Sequence, residues 1–336
     1  MPAVQVAAAS RLFAQGIIVK AADGLERLAD VDTVVFDKTG TLTLGVPQLQ
    51  GMIDGSDADL QEAACLAINS RHPYARALVS AATERGLAVE PAMEVTETPG
   101  SGLAMETAAG TVRLGSAAWC LDAPNEAATL WLATPGKQPV GFVFEETLRP
   151  DAAAVTHDLR NLGLAVEILS GDRETAVRNV AQGLGVEHWR GQQMPADKIQ
   201  RIDALKRSGR SVLMVGAGIN DAPALTSAHA SLSPASAADI SQTTADMIFQ
   251  GDKLGAVTEV ISVAREARKM ALQNFGIALA YNAVFVPLAM AGIVTPLLAA
   301  IAMSASSIGV TANALRLRHK RLARSAHQVR RERSMR

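Results

Sequence analysis

The sequence predicts an α/β fold: a doubly wound domain, interrupted by an inserted α+β domain and followed by a two-helix hairpin long enough to cross a bilayer. Three observations carry this expectation. Between residues 144 and 262 short apolar runs alternate with helix-like segments, "AVEILSGD" leading into "RETAVRNVAQGLG" and "SVLMVGAGIND" into "APALTSA". That alternation is the βαβ pattern of a parallel sheet whose site lies at the carboxyl ends of its strands. A strand of the same kind, Val34-Val35-Phe36, stops on Asp37 far earlier in the chain, so residues 47–143 read as an insertion. Finally, "FGIALAYNAVFVPLAMAGIV" (275–294) runs for twenty residues without a formal charge, the length a bilayer helix needs.

Taken in order, residues 1–20 read as the end of a truncated membrane helix and a short strand, with Arg11 and Gln15 interrupting the apolar run. Residues 21–46 hold the helix-like "DGLERLAD" and the strand that ends on Asp37. Residues 47–143, rich in Ala, Gly and Pro, contain helices around "LQEAACLAINS" and "YARALVSAATERG" and strand-like "TVRLGS" and "PVGFVFE". Residues 144–265 complete the α/β domain. Residues 266–317 hold the two spans, the second being "LLAAIAMSASSIGVTANALRL" after Thr295-Pro296, and neither shows a charged face. Arg265, Arg268 and Lys269 precede the first span and a basic tail, 318–336, follows the second, which predicts cytoplasmic ends and an external turn near Pro296.

With 49% apolar and 19% charged residues in 336, the composition excludes disorder and fits two or three domains with membrane content. The net charge of −1 conceals a split: residues 316–336 hold nine Lys or Arg and one Glu, so the rest of the chain is acidic. That tail lacks aromatic interleaving and follows a membrane span. Anionic lipid and topology account for it, and no nucleic-acid partner is expected. Cys65 and Cys120 form no CxxC pair and read as ordinary thiols of a reducing compartment.

Three strands end in polar, glycine-containing turns: Asp37-Lys38-Thr39-Gly40, Ser170-Gly171-Asp172 and Gly216-Ala217-Gly218. In a doubly wound sheet these turns meet at one edge. There Asp37 can act as a nucleophile toward phosphorus. Gly40 permits the tight turn, and Thr39 can offer its carbonyl to Mg²⁺ and its hydroxyl to a phosphoryl oxygen. Ser170 can bind a phosphoryl oxygen, and Lys198 of "PADK" can neutralise charge on the equatorial oxygens.

This constellation resembles the haloacid-dehalogenase superfamily, and the string DKTGTLT (37–43) resembles the phosphorylated-aspartate loop of P-type ATPases. Phosphatases of the superfamily carry a second Asp two residues after the nucleophile. Here that place holds Thr39, which takes no proton from water at neutral pH, so an acyl phosphate on Asp37 would persist. The resemblance continues in the family's order through "SRHPYARAL", "PGSGL", "TLRPDA", "SGDR", "PADK" and "GINDAPAL". It implies that His72 orients ATP, that Gly100 and Gly102 line the adenosine pocket, and that Asp37, Thr39 and Asp221 hold Mg²⁺, with Lys38 completing the loop. Tyr281-Asn282 in the first span and Met303 with Ser307 in the second resemble the copper-transporting members, implying Cu(I) as the transported ion. Met303 and Ser307 share a helical face, and a thioether is a soft ligand. Met303 also fits plain packing, with small serines allowing close helix approach, whereas Asn282 inside a span is a functional candidate. The opening residues resemble the subgroup that supplies copper to cbb3-type oxidases.

Two departures qualify the resemblance. Ala217 stands where the family has a Mg²⁺-binding Asp, and Ala67 where many relatives place a glutamate near adenine. The sequence also shows no Cys-Pro-Cys helix and no Thr-Gly-Glu segment. The expectation is therefore a partial, copper-exporting P-type ATPase of the inner membrane, whose soluble domains are cytoplasmic. Its partners would be lipid, the copper ion, and the missing amino-terminal half of the pump or a copper chaperone. Its rivals are a non-catalytic nucleotide-binding or regulatory subunit and a membrane-anchored phosphatase.

Overall fold

A computed structural model describes residues 2–21, 23–121, 125, 127–295, 297–314 and 316. The expected turn at Pro296 and the basic tail lie outside the described residues. The chain divides into two compact units, Thr43–Leu148 and the remainder.

The chain opens with helix α1 (Pro2–Phe13), strand β1 (Ile17–Val19), helix α2 (Gly24–Ala29) and strand β2 (Thr33–Asp37). All five residues of β2 are buried, as a strand covered on both faces requires.

The inserted unit follows. It holds β3 (Thr43–Ile53), α3 (Asp57–Ala67), α4 (Pro73–Glu84), β4 (Val95–Thr98), β5 (Gly102–Thr107), β6 (Gly110–Gly115), α5 (Ala117–Cys120), β7 (Leu130–Ala133) and β8 (Val140–Leu148). Its six strands form an antiparallel sheet in the order β3-β8-β7-β6-β5-β4. Helices α3 and α4 supply Leu60, Leu66 and Leu78 to a core completed by Leu114, Leu132 and Phe142. The paired strands β3 and β8 carry this unit outward to Thr43 and Leu148, beyond the 47–143 expected from composition.

The chain then returns through α6 (Ala152–Asn161), β9 (Ala165–Leu169), α7 (Glu174–Leu184), β10 (His188–Arg190), α8 (Pro195–Arg207), β11 (Val212–Val215), α9 (Ala222–Ser227), β12 (Ala230–Pro234), α10 (Asp239–Thr244) and β13 (Met247–Phe249). The seven-stranded sheet has the order β1-β13-β12-β11-β2-β9-β10. Every pairing is parallel except β1 with β13, so the doubly wound sheet carries one antiparallel edge that periodicity did not reveal. After β2 the chain proceeds first to β9 and β10 on one side and then to β11 on the other. The topological switch point therefore falls at the carboxyl end of β2, where such sheets bind ligands.

Helix α11 (Gly255–Met290) is continuous for 36 residues, and α12 (Leu297–Ala314) follows. Both are long and apolar enough to cross a membrane, with large apolar side chains such as Phe275, Met290 and Ile308 exposed. The boundary expected near residue 265 does not exist as a break: no glycine or proline interrupts the helix between Gly255 and Gly276. The α/β domain and the first long apolar stretch thus share one helix. Arg11 of α1 is buried against it and pairs with Glu259 (2.8 Å) and Glu266 (3.0 Å).

Candidate active site

The site is built where three strand ends meet. The register sets Asp37 beside Leu169, the last residue of β9, and Phe36 beside Val215, the last residue of β11. Ser170 and Gly216 therefore flank the carboxylate, as the sequence predicts. After Asp37 the chain turns sharply, with Gly40 at φ 70°, a left-handed conformation glycine adopts without penalty.

Asp37 is buried, and its Oδ1 accepts a hydrogen bond from Lys198 Nζ at 2.6 Å. The same ammonium donates to Asp221 Oδ1 at 2.6 Å. Lys198 sits in the first turn of α8, where the helix dipole disfavours a cation; the two carboxylates offset that. Burial alone would lower its pKa, and the charges of Asp37 and Asp221 reverse this and raise it. Burial first, and then the neighbouring charge of Asp221, push the Asp37 carboxyl up to about 7 against the pull of Lys198. Lys38 pairs with Asp172 at 2.6 Å, and Thr39 Oγ1 donates to the same Asp172 oxygen at 3.4 Å. Ser170 is buried, its Oγ accepting from the Asp172 amide at 3.2 Å. All six expected catalytic residues thus belong to one sheet edge.

Asp221 ends the short turn Ile219–Asp221 and is the N-cap of α9, and its Oδ2 accepts from the amides of Ala217 (3.2 Å) and Gly218 (2.9 Å). Both its oxygens are therefore engaged. A Cβ placed on Gly40 would stand 3.3 Å from the Ala217 methyl, so that methyl lies against the turn that follows Asp37. Magnesium takes near-octahedral oxygen coordination; of the expected ligands Asp221 is engaged by Lys198 and two amides and Asp37 by Lys198, and position 217 offers no side-chain oxygen. Among the described residues no group of three or more His, Cys, Asp or Glu is arranged to hold a metal ion.

Arg149 was missed by sequence reasoning. Fully buried, it donates from Nε to the Thr41 carbonyl (2.7 Å), from a terminal nitrogen to the Gly40 carbonyl (3.0 Å) and from the other to Gly251 (3.1 Å). It fixes the loop after Asp37. Two residues on, Asp151 accepts from the amides of Leu254 and Gly255 and so caps α11. The signal was present in "TLRPDA", but the sequence does not say what each charge holds.

Within the inserted unit, His72 is the N-cap of α4. Its Nδ1 accepts from the Tyr74 amide at 3.3 Å, which directs the ring's other nitrogen outward. The imidazole stacks on Tyr74 (centroids 5.4 Å apart), and both line a cavity of about 220 Å³ together with Gly100, Gly102 and Gly115. Gly102 and Gly115 are register partners on β5 and β6. A Cβ on Gly102 would lie 2.3 Å from the Leu114 carbonyl oxygen, and one on Gly115 2.3 Å from that of Ser101. Gly115 was not singled out from sequence. Ala67 points into the core of this unit and does not line the cavity.

The four expected ion-binding residues lie on the two long apolar helices. Tyr281 stacks on Phe285 at 4.6 Å, while Asn282, Met303 and Ser307 are exposed on the two apolar helices. What joins those helices is Asn313, donating to Asn274 Oδ1 at 2.9 Å. Cys65 and Cys120 are free and half-buried rather than buried, and burial pushes the Cys120 thiol up to about 11.

A buried, lysine-bridged carboxylate at the switch point of such a sheet, with a second unit inserted after it in the chain, is the arrangement of a haloacid dehalogenase-like domain. A family profile described as "haloacid dehalogenase-like hydrolase" matches residues 31–229. The chain is 45% identical over 324 residues to "Nitrogen fixation protein FixI" of Rhizobium leguminosarum bv. viciae, covering 94% of this chain and 42% of that protein. It is 38% identical over 325 residues to "Probable copper-transporting ATPase SynA" of Synechococcus elongatus, covering 91% and 41%. Among solved structures, a zinc-transporting PIB-type ATPase in its E2.Pi state superposes with a TM-score of 0.80 at 30% identity, over 94% of this chain and 54% of that one. The catalytic domain of the CPx-ATPase CopB-B matches with a TM-score of 0.62 at 29% identity. The chain belongs to the heavy-metal P-type ATPases. It spans less than half the length of the curated relatives it matches.

Proposed function

We propose that this chain is the nucleotide-binding and phosphoryl-accepting part, with two membrane helices, of an ATP-driven Cu(I) exporter. The observation that carries the reading is the buried Asp37, bridged by Lys198 to Asp221 at the switch point and followed two residues later by Thr39. In the reaction an Asp37 oxygen attacks the γ-phosphorus of ATP, an O–P bond forms, and the bond to the departing ADP oxygen breaks. Lys198 stabilises the charge on the transferring group. Thr39 supplies no general base, so the acyl phosphate outlives the step. The inserted unit holds ATP through His72, Gly100 and Gly102. Cu(I) as cargo is supported by the soft thioether of Met303 with Tyr281, Asn282 and Ser307, and by the copper named for SynA. The spans would anchor the chain in the inner membrane with its other domains cytoplasmic, and the tail would meet anionic lipid. The rest of the machinery would come from the remaining half of the pump or a copper chaperone.

The committed Asp221 and the methyl of Ala217 favour a second reading, a non-catalytic nucleotide-binding subunit. Labelling with [γ-³²P]ATP separates the two. On the pump reading, Ala217→Asp yields a hydroxylamine-sensitive label that Asp37→Asn abolishes, at least ~10²-fold above the unsubstituted chain. ATP binding with no phosphoenzyme in either form supports the subunit reading.

A further inference from the structure

We propose that Glu97 selects the base in the inserted unit's pocket, restricting it to 6-aminopurine nucleotides; this rests on the nucleotide-binding reading above and adds a specificity residue to it. At about 220 Å³ the cavity falls below the roughly 300–1,000 Å³ that encloses a drug-sized ligand. It takes a base and leaves the phosphates outside. Leu103 and Leu114 provide an apolar floor, and the missing side chains of Gly102 and Gly115 let β5 and β6 approach each other closely along one wall. Such walls hold any flat aromatic ligand and choose none.

Among the lining residues Glu97, at the β4 edge, is the one acid, and no lysine or arginine joins it. Its carboxylate is held in place. The Ser70 hydroxyl donates to Glu97 Oε1 at 3.0 Å, and Ser70 Oγ is itself fixed by the His72 amide at 3.1 Å. That leaves Oε2 to accept from a ligand. A carboxylate accepts hydrogen bonds and donates none. The exocyclic amine of adenine satisfies it at C6, whereas hypoxanthine sets a carbonyl's lone pairs against it there and offers its nearest donor, N1–H, one ring atom away. Because Ala67 is packed in the core, no second carboxylate from α3 shares the task.

The test compares ATP and ITP binding to the full chain in detergent by isothermal titration in EDTA, so that no metal-dependent turnover intervenes. The unsubstituted chain is expected to bind ATP ~10-fold or more tightly than ITP, the scale for a polar group left unmatched in a pocket. Glu97→Gln is isosteric and exposed, and its amide donates as well as accepts, so the ATP-to-ITP ratio should collapse toward one with ITP affinity rising. A purely structural role for Glu97 would weaken both ligands alike. Equal affinities in the unsubstituted chain, or a ratio unchanged in Glu97→Gln, overturn the proposal while leaving the pocket a nucleotide site. Failure to bind either triphosphate overturns the nucleotide reading and this one with it.

Discussion

At the carboxyl end of β2, three carboxylates and two ammonium groups fill the space, and each hydrogen bond is answered from within: Lys198 to Asp37 and Asp221, Lys38 to Asp172. The pocket of the inserted unit is made instead by what is absent. Glycines at 100, 102 and 115 leave room, and one acid marks its polarity. The first site is specified by charges that require one another, the second by shape. Their responses to substitution should differ accordingly, and the difference is measurable.

The largest effect belongs to Lys198. Lys198→Met keeps the side chain's volume and removes the cation shared by two buried acids. Breaking a buried ion pair from one side costs about 3–5 kcal/mol, and here two partners lose their counter-charge. Urea unfolding followed by a probe on the α/β unit should show a loss of that size, with the inserted unit unaffected. A loss below ~1 kcal/mol would mean that the bridge is not made in solution.

The pocket should fail differently. Gly100 lies at φ 78° in open space, so Gly100→Ala carries only the cost of a left-handed backbone, about 1–2 kcal/mol. Gly102, at φ 155°, faces the Leu114 carbonyl; Gly102→Ala adds overpacking of about 1–3 kcal/mol and should abolish ATP binding. Similar ATP affinities for the two variants would show that the close approach of β5 and β6 is not what shapes the cavity.

Protonation sharpens the contrast from the other side. With its carboxyl pushed up to about 7 by burial, Asp37 is protonated in the folded chain at pH values where it is ionised in the unfolded one. The stability this contributes is complete below the ordinary carboxylate pKa of about 4 and is lost as pH rises through 7. The α/β unit should therefore resist urea better at pH 5 than at pH 8, by a margin that shrinks in Asp37→Asn. Isotope-edited infrared spectra should lose a protonated carboxyl band with a midpoint near 7. Asp221→Asn should move that midpoint down, because the charge of Asp221 is one of the causes holding it up.

How much of this was legible beforehand follows the same division. The strand ending on Asp37, the turns at Ser170 and Gly216, and the βαβ alternation were readable because buried parallel strands and polar turns leave local patterns. Lys198 was readable as chemistry, but its bridge between Asp37 and Asp221 was not, because the partners lie far apart in sequence. The roles of Arg149 and Asp151 are of the same kind: a guanidinium that clamps carbonyls leaves no mark beyond being an arginine. Gly115 escaped notice because its requirement is distance to another strand's backbone rather than a positive φ. Glu97, a single acid in the short strand Val95–Thr98, carries no local mark of what it faces. The continuity of α11 was hidden because its charged first half and its apolar second half differ in composition yet share one helical period.

The smallest effect tests the hairpin, where neither principle dominates. Asn274 is buried, and its Oδ1 accepts from Asn313 across the two helices. In an apolar medium such a bond resists loss, yet measured interhelical hydrogen bonds in membranes average only about 0.6 kcal/mol. Asn313→Leu should therefore leave the span inserted and lower its stability toward denaturing detergent by about that much. Asn274→Leu should do the same, and the double substitution should cost little more than either single one, because both remove the interhelical bond and the other contact of Asn313, from Arg316 at 3.4 Å, is exposed. Additive losses would show that each asparagine has a separate partner, and the helices would then be held by contacts other than this pair.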